Sequence, residues 1–142
     1  RPSPDGKYIM LTMSDYGNFS IWHKEADLWL YDLRDGTLRE MTEVNSNDVE
    51  SYHSWSSEGS WFVFSSRRLD GLYTRPYFAQ IDEDGNISKP FLLPQQKPVH
   101  YYNMTFFSYN VPEFVTGKVD WDLKKVEKVL TAGERDQIQT RK

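Results

Sequence analysis

The residues best suited to chemistry lie in two stretches. Asp15-Tyr16-Gly17-Asn18-Phe19-Ser20-Ile21-Trp22-His23-Lys24 combines three aromatics with a histidine. Arg67-Arg68-Leu69-Asp70-Gly71-Leu72-Tyr73-Thr74-Arg75 holds three arginines. Guanidinium forks suit a carboxylate or phosphate, and rings give contact area at low entropic cost. The candidate ligand-binding set is therefore Tyr16, Trp22, His23, Arg67, Arg68, Tyr73 and Arg75. The competing reading is local: the arginines pair with acids such as Asp70, and the rings fill space between packed sheets.

Other chemistries leave weaker marks. His23, His53 and His100 stand apart in the sequence, so only the fold could join them into a metal site. Asp82-Glu83-Asp84-Gly85-Asn86 resembles a calcium loop, but its glycine comes one place early and no glutamate closes it. A hairpin turn accounts for it better. There is no G-x-S-x-G nucleophile elbow, no H-E-x-x-H and no glycine-rich phosphate loop. The carboxylates are many, yet their spacing selects no acid–base pair. No catalytic residue, metal or cofactor is expected.

The composition is that of a globular domain. Of 142 residues, 38% are apolar and 27% charged, with a net charge of −4 that argues against nucleic acid as the main partner. Aromatics reach 15%, and such rings favour strands. No apolar run is long enough for a transmembrane helix. Cysteine is absent, so disulfides and thiolate metal sites are excluded.

An internal repeat supplies the elements that position the two stretches. Ser3-Pro4-Asp5-Gly6-Lys7-Tyr8-Ile9-Met10-Leu11-Thr12 recurs 53 residues later as Ser56-Ser57-Glu58-Gly59-Ser60-Trp61-Phe62-Val63-Phe64-Ser65. Each copy is a polar turn with glycine fourth, then an apolar run. Asp35-Gly36 and Asp84-Gly85 sit 49 apart and each divides two strand-like runs, a strong hairpin signal. Strands are expected at about 8–14, 26–33, 37–42, 50–56, 61–67, 76–82 and 87–93, with a weaker one at 101–108. Each unit is then a four-stranded antiparallel meander of about 50 residues, the size of one β-propeller blade.

These runs resemble a known repeat. Ser3-Pro4-Asp5-Gly6-Lys7-Tyr8-Ile9, then Asp27-Leu28-Trp29-Leu30-Tyr31-Asp32-Leu33, then Asp35-Gly36 and Leu38-Arg39-Glu40-Met41-Thr42, resemble the WD40-like (PD40-type) repeat of TolB-like β-propellers. The second copy keeps Trp55-Ser56 and Gly59 but has Ser57-Glu58 for Pro-Asp, and its last strand lacks the Arg and final Thr. Ser108-Tyr109-Asn110-Val111-Pro112-Glu113-Phe114 is similar to the C-terminal end of TolB-like proteins of Bacteroidetes-type bacteria. The resemblance covers residues 1 to about 117. It implies an all-β fold of propeller blades and a periplasmic or cell-envelope location. Propellers close with roughly four to eight blades, so two imply a partial propeller. The chain starts at Arg1 without a signal peptide and reads as an excised piece of a longer propeller, with self-association through open blade edges as the alternative.

The expected divisions are a first blade at 1–49, a second at 50–100, a closing strand segment at 101–117, and a C-terminal helix with a polar tail at 118–142. Val119, Leu123, Val126 and Leu130 give the helix its apolar stripe, with Asp120 as its cap and Gly133 after its end. The bland expectation is that it packs on the last blade, and the sharper one that it docks a partner. Tight turns at Asp5-Gly6, Asp35-Gly36, Glu58-Gly59 and Asp84-Gly85 belong to one face of the blades. Long loops at about 15–25, 43–50, 67–74 and 95–100 belong to the other, where binding residues concentrate. The expected function is a non-enzymatic binding or scaffold module for a protein, peptide or glycan. The alternatives are a gating propeller of a larger prolyl-oligopeptidase-type serine peptidase, or part of an envelope glycan-active enzyme.

Overall fold

The computed structural model describes residues 1–118 and 120–132. Its strands form two antiparallel sheets. The first holds β1 (Tyr8–Met13), β2 (Asp27–Asp32) and β3 (Leu38–Glu40) side by side. The second holds β4 (Glu50–Trp55), β5 (Trp61–Ser66), β6 (Arg75–Gln80) and β7 (Phe91–Leu92). Two helices follow, α1 (Pro98–Met104) and α2 (Leu123–Thr131). The all-β expectation holds at that level, and the two repeat copies form the two sheets. Ahead of β1, only a Pro2–Ile9 bridge stands where β4 stands in the second sheet.

The sheets pack face to face because their strands alternate. Tyr8 and Met10 of β1, with Leu28 and Leu30 of β2, meet Phe62 and Phe64 of β5 and Tyr77 and Ala79 of β6. The period of two sends Ile9, Leu11, Trp29 and Tyr31 to the opposite face of the first sheet. At the turn end, Gly85 has φ +87°, and a Cβ there would lie 2.7 Å from the Tyr8 hydroxyl. Glycine is thus required twice over, by the backbone and by the close approach of the first sheet.

At the loop end one residue, Glu50, ties the second sheet to the connector and to the entrance of the first sheet. Glu50 is fully buried. Its backbone N–H donates to the Ala26 carbonyl at 2.8 Å, tying β4 to the entrance of β2. Its carboxylate accepts from the Ser46 N–H and hydroxyl, from the Ser66 hydroxyl, and from the Arg68 guanidinium at 2.8 Å. Arg68 also donates to the Val44 carbonyl and lies over the Phe64 and Tyr77 rings.

The C-terminal part departs from expectation in three places. The strand expected at 87–93 shrinks to Phe91–Leu92 plus an Ile81–Ile87 bridge, because Pro90 and Pro94 cannot donate to a ladder. The strand expected at 101–108 is replaced by helix α1. Pro98 presets its first turn, and buried Arg75 takes the Tyr102, Thr105 and Phe107 carbonyls. Helix α2 starts later than expected, with Asp122 and not Asp120 as its cap, accepting from the Lys124 N–H at 2.9 Å. No residue of α2 is buried, and Val126 of its expected apolar stripe is half-buried. Val119 and Gly133, assigned to that helix and its end, lie outside the described residues.

The segment after α1 lies on the outer face of the second sheet. The Ser65 hydroxyl is 2.7 Å from the Tyr109 carbonyl, Tyr109 donates its N–H to Thr74, and Phe114 meets Phe78 edge-on. A groove of about 340 Å³ remains between them, lined by Val63, Pro76, Phe78, Leu93 and residues 109–113.

The Glu50–Arg68 pair is expected to behave as a buried ion pair. Arg68→Met leaves the Glu50 charge without a cation and should cost about 3–5 kcal/mol in urea unfolding. Adding Glu50→Gln should recover more than half of that loss. A single variant as stable as the parent would refute this role.

Candidate functional site

The long connections of both sheets gather at one end. Arg67 bridges them: its Nε lies 3.3 Å from Asp48 Oδ1, and its guanidinium sits 6.0 Å from the Trp22 ring centre. The connector at Asp48, the β1–β2 loop at Trp22 and the β5–β6 loop at Arg67 therefore share one surface.

The β1–β2 loop is built on a buried anchor. Ile21, inside a 3₁₀ turn at Ser20–Trp22, packs with Ala26 and Val49. With Ile21 held inward, its neighbours project outward. Tyr16 is 70%, Phe19 71% and Trp22 73% exposed. Phe19 has φ 59° and ψ 63°, a left-handed conformation that bulky residues rarely adopt. His23 braces the loop: Nδ1 faces Glu25 at 3.3 Å, Nε2 faces the Asn18 carbonyl at 3.1 Å, and Tyr16 meets the ring edge-on. Gly17 leaves room for it, since a Cβ there would be 3.0 Å from the imidazole.

The β5–β6 loop is held by Asp70, whose Oδ1 accepts the Leu72 and Tyr73 N–H groups at 2.8 Å each. That turn exposes Leu69 and Leu72. Tyr73 lies half-buried between Phe106 and Arg75.

The seven residues singled out from the sequence thus have different surroundings. Tyr16 and Trp22 are exposed on the loop end, with Arg67 between Trp22 and Asp48. His23 and Tyr73 brace loops. Arg68 sits against Glu50 inside the fold. Arg75, offered as a contact residue, is fully buried, with Asp70 at 3.6 Å and three backbone carbonyls around its guanidinium. Each arginine faces an acid, and Arg68 and Arg75 spend their forks inside the fold, whereas Arg67 approaches Asp48 through Nε without a hydrogen bond. What the loop end offers outward is apolar. Phe19, Leu69 and Leu72 belong to that surface and were not in the sequence-derived set. Leu69 and Leu72 carry a signal, an apolar residue beside Asp or Gly in a segment otherwise expected to be polar, whereas Phe19 stands between Asn18 and Ser20.

The remaining chemistry resolves simply. Asp82 Oδ1 accepts the Asp84 and Asn86 N–H groups and Oδ2 the Asn86 side chain, so the carboxylate closes its own turn. Its pKa is lowered, chiefly by the Asn86 side-chain hydrogen bond. His23 lies in a loop, His53 in β4 and His100 in α1. Among the described residues no group of three His, Asp or Glu side chains could hold a metal ion. No helix among them is long and apolar enough to cross a membrane.

Two groups near the loops titrate away from their ordinary ranges. Asp27, at the start of β2, is raised to about 6 by partial burial and by the charges of Glu50 and Glu40. His53 is lowered to about 4, first by burial and then by the amino terminus and Arg1 guanidinium, while the Met10 carbonyl opposes.

No protein-family model matches the chain, and no curated protein is significantly similar to it.

The two shifts predict opposite pH effects. Asp27 stays protonated in the fold where the unfolded chain has lost its proton, so its contribution falls as pH rises from about 4 to 6. Asp27→Asn should melt higher than the parent at about pH 7.5 and match it near pH 4. His53 is neutral in the fold where the unfolded chain is charged, so its contribution falls as pH drops from about 6.5 to 4. His53→Gln should flatten that loss. Thermal melts of both variants across this range test both signs.

Proposed function

We propose that the chain is a non-enzymatic binding module of the TolB-like β-propeller kind. On this reading the two sheets are successive blades, and the loop end receives an apolar segment of a protein or peptide partner at the cell envelope. One observation carries it: Tyr16, Phe19 and Trp22 are each at least 70% exposed on a loop anchored by buried Ile21. Rings held outward on a rigid base give binding area with little ordering cost. Phe19 adds weight, because strained backbone is retained where the surroundings impose it and clusters at binding sites. The internal pairing of Arg67, Arg68 and Arg75 favours an apolar partner over a phosphate or carboxylate. The propeller assignment rests on the repeat and its resemblance, and the face-to-face packing of two antiparallel sheets is compatible with it.

The test uses peptides selected by phage display on the immobilised chain. Trp22→Ala should weaken a selected apolar peptide by about 2 kcal/mol, near 30-fold. Phe19→Gly should weaken it too while raising stability by about 1 kcal/mol through relief of the left-handed backbone. Unchanged affinity in both variants would defeat the loop-end assignment. Selective binding of oligosaccharides, with no peptide binding, would move the partner class to a glycan.

A further inference from the structure

Arg67 holds donors that the fold does not use. Its Nε is buried without a hydrogen-bond partner, because Asp48 Oδ1, 3.3 Å away, takes the Val49 N–H at 2.8 Å instead. Among the described residues the rest of its guanidinium makes no hydrogen bond either, although the side chain is only 16% exposed. A donor largely withdrawn from water and left unpaired costs free energy, so one kept in a fold calls for an acceptor. Asp48 balances the charge of Arg67, so the group offers donor capacity and not net charge.

That donor stands among apolar groups. Its guanidinium lies 6.0 Å from the centre of the exposed Trp22 ring. The turn that exposes Leu72 meets the same carboxylate, since a Cβ on Gly71 would be 3.7 Å from Asp48 Oδ2. Nearby acceptors are turned to the loops themselves: Asp70 Oδ1 takes the Leu72 and Tyr73 N–H groups, and His23 faces Glu25 and the Asn18 carbonyl. Exposed rings and leucines therefore surround donors, namely the Arg67 Nη groups and the Trp22 indole N–H.

A ligand that fits is apolar, rich in free acceptors and poor in donors. A helix spends its carbonyls on its own N–H groups, except in its last turn. An extended strand presents carbonyls but brings an N–H with every residue, and the segments that form this end are loops, not a sheet edge. A polyproline II segment leaves its carbonyls free, and proline has no N–H to leave unpaired. Its pyrrolidine rings also suit aromatic side chains.

We infer that the loop end takes a proline-rich peptide segment in the polyproline II form. A proline ring lies on Trp22, a neighbouring main-chain carbonyl accepts from Arg67 Nη, and leucine side chains meet Leu72. Arg67 is thus the residue that selects this backbone conformation. The inference rests on the loop-end reading and narrows it.

The test measures binding of three fluorescein-labelled synthetic peptides of equal length to the full chain by fluorescence anisotropy. One repeats Pro-Pro-Leu, one repeats Ala-Ala-Leu and favours a helix, and one repeats Thr-Val and favours a strand. The Pro-Pro-Leu peptide should bind the parent chain at least about tenfold tighter than either other peptide. Arg67→Lys keeps the charge beside Asp48 but loses the planar fork, and should weaken that peptide about tenfold while changing binding of the Ala-Ala-Leu peptide little. Trp22→Ala should weaken all three. The preference is read on the parent, so it holds whether or not an Arg67 variant folds. Equal or tighter binding of the Ala-Ala-Leu or Thr-Val peptide, lost in Trp22→Ala, overturns the inference and leaves the loop-end reading standing. Unchanged Pro-Pro-Leu affinity in a folded Arg67→Lys variant, or no binding of that peptide to the parent, also overturns it. The loop-end reading itself falls only with the selected apolar peptides.

Discussion

A single buried residue, Glu50, fastens the connector to the second sheet through its carboxylate and reaches the first sheet through its backbone. Glu50 begins β4, and its backbone N–H reaches Ala26 in the first sheet. Its side chain collects Ser46 from the connector, Ser66 from β5 and Arg68 from the loop beyond. A charge taken wholly out of water is tolerated only with such complete pairing. The pairing also fixes where the connector leaves β3 and where the β5–β6 loop turns. Arg68 reaches past Glu50 onto Phe64 and Tyr77, so the ion pair and the apolar core share atoms. The Phe64–Tyr77 stack and the Asp48–Arg67 contact both sit next to this point.

From that constraint follows an asymmetry between the two ends of the sheets. At the turn end the chain reverses tightly, and Gly85 lets the second sheet come within contact of Tyr8. Arg39 adds to that join, donating to the Gly85 carbonyl at 3.1 Å. The other end has long loops, each stapled from below by Ile21, Asp70 or Arg75, and each exposing apolar side chains above. A rigid scaffold under protruding rings is how a binding surface limits the entropy lost on association. Arg75 matters here although it is hidden, because it fastens α1 and the following segment to the base of the β5–β6 loop.

The two repeat copies are equal in backbone and unequal in surroundings. Met13 pairs with Asp27 in the first sheet as Ser66 pairs with Arg75 in the second. Arg75 is buried under backbone carbonyls, whereas Asp27 faces Glu40 and Glu50 and has a raised pKa. The same ladder position thus carries opposite charge, with Arg75 fully buried and Asp27 partly so. The Tyr102, Thr105 and Phe107 carbonyls surround Arg75, whereas the charged neighbours that shift Asp27 are carboxylates.

The sequence by itself determined the first six strands, their order and their turns. Alternation of apolar residues and the Asp-Gly and Glu-Gly pairs are local signals, and local backbone physics suffices to read them. It also placed the long loops at about 15–25, 43–50 and 67–74, because their length and composition are local too, whereas α1 enters the one expected at 95–100. The tertiary structure alone decided which loop residues face water. Arg67, Arg68 and Arg75 look alike in sequence, yet one bridges loops, one neutralises Glu50 and one lies wholly inside. Asp70, five residues before Arg75, is within local reach, but the other acids and carbonyls come from 18 to 32 positions away, beyond any short window of sequence. The outward turn of Phe19 likewise follows from burying Ile21 against Val49. The replacement of a strand by α1 follows from Arg75 claiming carbonyls that a ladder would have used. In each case a long-range hydrogen bond or packing contact outweighed a weak local preference.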